Sequence, residues 1–80
     1  MALRAKKPAL IVTFDTTTAA MAMERFCAEQ GLPGRLIPVP REITAGCGLA
    51  WMAPPEEEER LTRAGQAAGL LWSAMHRMEI

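Results

Sequence analysis

Apolar positions along this chain alternate between short continuous runs and longer stripes of helical spacing. Pro8 to Phe14 is brief, apolar and partly β-branched, the pattern of a strand buried on both faces or nearly so. Asp15 and the three threonines after it offer N-cap oxygens, and a helix is expected from about there to Gln30. Its stripe is Ala19, Met23, Phe26 and Cys27, with Ala20 and Gln30 nearby. Gly31 supplies a stop and Pro33 prevents continuation.

A second strand is expected from about Arg35 to Pro40. Residues two apart in a strand turn their N–H groups to the same side, so Pro38 and Pro40 both lack donors along one edge, and this should be an edge strand. Leu49 to Ala53 reads as a third strand. Pro54-Pro55 and the glutamates Glu56 to Glu59 mark the N-terminus of a second helix, where proline is tolerated and negative charge meets the positive end of the helix dipole. Glu56 with Arg60 and Glu59 with Arg63 have i,i+4 spacing. Glu57, Leu61, Ala64 and Ala68 share one face, and Gly69 ends the helix. Leu70 to Ile80 is expected as the last strand, with Trp72, Ala74, His76, Met78 and Ile80 on one side.

Strand, helix, strand, strand, helix, strand is the order of a ferredoxin-like α+β two-layer sandwich, two helices covering one face of an antiparallel sheet. That topology makes the second strand an edge, as the prolines independently require. Residues 1–80 read as a single domain with no internal linker or repeat, and residues 1–7 are expected to be a flexible N-terminal tail.

Composition narrows the function. A domain of 80 residues buries only about 60% of its unfolded surface, and with half of its residues apolar it can still build a core. Nine basic residues balance nine acidic ones, which argues against nucleic-acid binding, where phosphates demand a clustered cationic surface. Arg4, Lys6 and Lys7 form the one basic cluster, but the apolar run behind them is interrupted by Thr13, stopped by Asp15 and followed by no evident cleavage site, unlike a signal peptide. No apolar segment approaches the roughly 20 residues that span a bilayer. A soluble, cytoplasmic protein is expected, without membrane or nucleic-acid partners.

The two cysteines lie twenty positions apart and form neither a CxxC pair nor a disulfide framework. With the single His76 they also lack the paired spacing of zinc ligands, and nothing in the chain calls for a metal or a cofactor. Cys27 falls on the apolar stripe of the first helix beside Phe26 and reads as core. Cys47 differs, because Gly46 and Gly48 flank it in the connection between two expected strands. Glycines remove the Cβ atoms that would crowd the sulfur and allow backbone conformations closed to other residues. Two readings follow from these residues: a thiol presented to another molecule, or a small side chain in a tight bend.

The stretch Leu36-Ile37-Pro38-Val39-Pro40-Arg41-Glu42-Ile43, with Gly46-Cys47-Gly48-Leu49-Ala50 after it, resembles a family of small bacterial proteins described as selenium/sulfur carrier-like. The likeness extends to the strand ending in Thr13-Phe14, the helix around Glu24, Gly31-Leu32-Pro33 and the Pro-Glu opening of the second helix; Ala2 to Lys7 and the last few residues fall outside it. The resemblance implies that the motif cysteine, here Cys47, carries sulfur or selenium between a donor such as a cysteine desulfurase and an acceptor protein, which makes the chain a carrier with a reactive thiol rather than a stand-alone enzyme. The cargo would be held as a persulfide or selenopersulfide. Gly46 and Gly48 give access, Arg41 is a candidate to favour the thiolate, and Thr44 a candidate hydrogen-bond donor to thiolate or cargo. The ordinary readings of these last two are a solvated charge compensated by Glu42 and a turn residue.

The alternative from another class is a non-catalytic protein-binding or regulatory module, in which the edge strand and the Cys47 loop form a docking surface and a homodimer forms through an edge strand. Other residues have simpler explanations. The methionines at 21, 23, 52, 75 and 78 lie within expected elements and suit gap-filling in the core. Trp51 suits packing against a helix. The Asp15–threonine cluster suits capping rather than anion binding.

Overall fold

A computed structural model describes residues 7–43 and 46–80. The elements are β1 (Pro8–Thr13), α1 (Thr17–Gln30), β2 (Arg35–Pro38), β3 (Leu49–Ala53), a 3-10 turn (Pro55–Glu57) running into α2 (Glu58–Ala68), and β4 (Ala74–Glu79). All strand pairs are antiparallel, and the order across the open sheet is β2-β3-β1-β4. The domain is α+β, with β1 central and the proline-bearing β2 on an edge, as the missing donors require.

Strand alternation divides the sheet into two faces. Leu10, Val12, Trp51 and Ala53 join Ala20, Met23 and Cys27 of α1 and Leu61 of α2 in the main core, so both helices pack on this side. Ala9, Ile11 and Ala50 point the other way and form a second cluster with Ile37, Val39, Ile43, Met52 and Met78. The continuous apolar run of β1 follows from this two-sided burial: from Ala9 to Phe14 every residue is buried.

The Thr16 side chain caps α1 by accepting a hydrogen bond from the Ala19 N–H at 3.1 Å. Both helices end on a glycine in the left-handed region, Gly31 at φ 69° and Gly69 at φ 74°. The expected α1 stripe is buried at Ala20, Met23 and Cys27 and partly buried at Ala19 and Phe26, whereas Gln30 is exposed. Met21 lies on the outer face of the helix, 57% exposed, and fills no gap in the core.

Three further expectations change. β2 ends at Pro38 rather than Pro40, although one more ladder bond follows, from the Val39 N–H to the Gly48 carbonyl at 3.0 Å. Arg60 pairs with Glu57 at 3.2 Å and not with Glu56, because the first turn of this segment is 3-10 and rotates Glu56 off that face; Arg63 pairs with Glu59 at 3.0 Å as the spacing requires. On α2, Leu61 is buried and Ala64 half-buried as expected, while Ala68 is exposed and Gly65 is buried instead.

The last strand begins at Ala74, not Leu70. Residues 70–73 form the return from α2: the Leu70 N–H donates to the Gly65 carbonyl at 2.9 Å, and Trp72 lies so close over Gly65 that a Cβ there would meet its ring at 2.8 Å. Trp72 therefore packs on the helix rather than continuing the strand face of Ala74, His76 and Met78. Of the expected N-terminal tail, residues 1–6 lie outside the described residues, and Lys7 exchanges backbone hydrogen bonds with Ile80. No helix among the described residues is long and apolar enough to cross a membrane.

Candidate functional site

The β2–β3 connection leaves the sheet at Val39 and returns at Gly48, and its two halves are anchored on opposite faces. A turn closes from the Ile43 N–H to the Pro40 carbonyl at 3.0 Å, and Ile43 packs on the second cluster, away from the helices. Cys47 and Leu49 pack against the main core on the helix side. The loop thus straddles the sheet end. Arg41 and Glu42 at its tip are exposed.

The two flanking glycines sit in different settings. Gly48 has φ 77°, a conformation that side chains with a Cβ rarely adopt. Gly46 lies against the junction of β1 and α1, where a Cβ would stand 3.3 Å from the Asp15 carbonyl oxygen. The cysteine loop is therefore seated beside the N-terminal end of α1, a proximity that nothing in residue spacing announces.

Cys47 is half-buried and free. The Leu49 N–H donates to its sulfur at 3.4 Å, and the thiol in turn lies 3.5 Å from the Leu49 carbonyl oxygen as donor. A thiolate keeps the first bond and gives up the second, so among the described residues the sulfur is held by the Leu49 backbone. Among the described residues, no hydrogen bond or ion pair joins Arg41 to Cys47 or to Glu42. Thr44 lies outside the described residues. Leu49, whose backbone N–H and carbonyl both contact the sulfur, was not among the expected site residues, because a backbone donor leaves no mark in the residue sequence.

Cys27 stands in contrast. It has no exposed surface, its thiol donates to the Met23 sulfur at 3.7 Å, and burial pushes its pKa up to about 11. It is a core side chain. Trp51 is buried as well, packed in the main core with its Nε1 turned towards Gly34 and without a partner among the described residues. It offers no aromatic surface beside Cys47. His76 is exposed on the side away from the helices, and no group of three or more His, Cys, Asp or Glu side chains gathers among the described residues.

A groove of about 900 Å³ lies at the other end of the sheet between Pro33–Arg35 and Met52–Glu56. Cys47 is not among the residues that line this groove. Two helices on one face of an antiparallel sheet, with a half-buried free cysteine between glycines on the β2–β3 connection, make a small α+β domain. Residues 9–77 match the profile of the family described as Putative Se/S carrier protein-like, and the chain belongs to that family. No curated protein and no solved structure matches it.

Proposed function

We propose that this domain is a sulfur or selenium carrier of ferredoxin-like fold, loaded and unloaded at Cys47. The fold reading rests on the strand order β2-β3-β1-β4 with both helices on one face. The observation that carries the function is the contrast between the two thiols: Cys47 is partly exposed between glycines with an N–H directed at its sulfur, and Cys27 is sealed in the core. The description of the family supports sulfur or selenium as the cargo.

In loading, the Cys47 thiolate attacks the terminal sulfur or selenium of a donor persulfide or selenopersulfide. A bond forms from Sγ to that atom, the donor's own bond to it breaks, and the electron pair leaves on the donor thiolate. Unloading repeats the exchange, with an acceptor nucleophile attacking the outer atom and Cys47 leaving as thiolate. Neither half requires an external oxidant or reductant. Cys27 is too deeply buried to act as a resolving thiol, which would otherwise expel the cargo. A cysteine desulfurase is the class of donor that generates such a persulfide, the acceptor is a protein nucleophile, and a reducing compartment such as the cytoplasm keeps Cys47 free. Arg41 and Thr44, on the same loop, are positioned in sequence to meet the cargo or the partner.

Transfer is tested by loading the protein with labelled sulfur from a desulfurase, removing the donor and adding an acceptor thiol. The expected result is release of the label to the acceptor at a rate set by acceptor concentration. Label that stays on the protein, or that loads equally in Cys47→Ser, overturns the carrier reading.

A further inference from the structure

The two edges of the sheet are not equivalent. Lys7 and Ile80 exchange both backbone hydrogen bonds, at 3.2 and 3.1 Å. Bonded positions in an antiparallel pair recur at every second residue, so in the register Ala9 to Met78, Ile11 to His76 and Thr13 to Ala74 the even-numbered residues of β4 face β1. Met75, Arg77 and Glu79 turn their N–H and C=O groups away, along an edge that no described strand covers. On the opposite edge, the bond from the Val39 N–H to Gly48 means that 35, 37 and 39 face β3, leaving Leu36, Pro38 and Pro40 outward. Two of these three have no N–H. Strand addition is blocked at β2 and open at β4.

We propose that β4 pairs antiparallel with β4 of a second copy of this chain, about a two-fold axis at Met78, joining two four-stranded sheets into one. The outward-facing backbone groups must pair among 75, 77 and 79, and charge chooses the register. Placing Arg77 opposite itself sets like charges together; placing it opposite Met75 gives it no anion on the second copy. With Arg77 opposite Glu79 of the second copy, both charges are matched twice over. Both side chains lie on the helix face, since Arg77 stands beside Leu10 and Glu79 beside Pro8 in the register with β1. Arg77 gives its Nε to Glu58 at 2.7 Å, which leaves its terminal nitrogens for Glu79, and Glu79 has no ion pair among the described residues. On the other face, Met78 meets Met78 and His76 meets Ile80, extending the apolar cluster of Ala9 and Ile11 across the junction. The Cys47 loops remain at the outer ends, free for donor and acceptor. The pairing does not depend on the carrier reading.

Sedimentation equilibrium on the full chain reads the association. The expected result is a dimer whose dissociation constant rises about tenfold or more in E79R and in R77E, with the 1:1 mixture of the two variants associating as tightly as the unmodified chain, because every charge then meets its opposite. Circular dichroism reports whether each variant folds. Should R77E fail to fold through losing Glu58, E79R and hydrogen exchange decide: protection of the Arg77 and Glu79 amides that grows with protein concentration supports the pairing, and protection independent of concentration overturns it. A chain that stays monomeric, or a dimer indifferent to both charge reversals, also overturns it.

Discussion

The sulfur of Cys47 is held between the backbone N–H and C=O of Leu49, two residues further along, at 3.4 and 3.5 Å. This local clasp orients the thiol by backbone groups, and Cys47 as a residue stays partly exposed. The other cysteine has no such opening. Its sulfur meets only Met23 and the surrounding apolar core.

Selective alkylation follows from that difference. Iodoacetamide at neutral pH is expected to modify Cys47 on the order of 100-fold faster than Cys27, since the buried thiol reacts only when the domain opens. Peptide mapping against time checks it. Equal rates would show that the core around α1 is loose.

Cys27 also predicts how stability responds to alkali. Its folded pKa of about 11 lies above the ordinary 9.0, so between these values the unfolded chain sheds a proton that the folded chain retains. The stabilising contribution of the neutral, buried thiol is therefore complete below pH 9 and is lost as pH rises towards 11. Urea melts across this range are expected to show a decline that Cys27→Ala makes shallower, on top of a lower overall stability from the lost packing.

Gly34 is the least replaceable glycine. It has φ 143°, and a Cβ there would stand 2.5 Å from Trp51 Nε1 and 2.7 Å from the Met52 carbonyl oxygen. Gly34→Ala must move either a buried indole or the β3 backbone, and a loss of about 2–3 kcal/mol is expected in chemical denaturation, with a change in Trp51 fluorescence. By comparison Gly31→Ala has open space and only its φ of 69° to oppose it, and should cost about 1 kcal/mol.

Much of the architecture can be read in the residues because local and tertiary demands coincide. Pro8–Thr13 is apolar on both sides since it is the central strand, Gly31 and Gly69 stop their helices where no other residue fits as well, and the two prolines of 38 and 40 place β2 at an edge. Where the reading departs from the structure, a contact distant in sequence intervenes. Trp72 and Leu70 have strand-like character, yet they pack on Gly65 and Leu61's side of the domain, which delays β4 to Ala74. Glu56 loses Arg60 to Glu57 through a change of helix type that composition does not encode. At the site, the glycines mark Cys47, but the groups that seat its loop are the backbone of Leu49 and of Asp15. Such groups are common to all residues, so only the folded chain reveals them.

Intact mass spectrometry tests the central claim most directly. The protein is incubated with a cysteine desulfurase and either cysteine or selenocysteine, with Cys47→Ser and Cys27→Ser in parallel. Cys47 is half-buried and among the described residues its side chain bonds only to Leu49, so Cys47→Ser should keep its fold at a cost below about 1 kcal/mol. A reductant-labile gain of one sulfur or one selenium is expected in the unmodified chain and in Cys27→Ser, and none in folded Cys47→Ser. No adduct on any variant, or one that persists without Cys47, would contradict it.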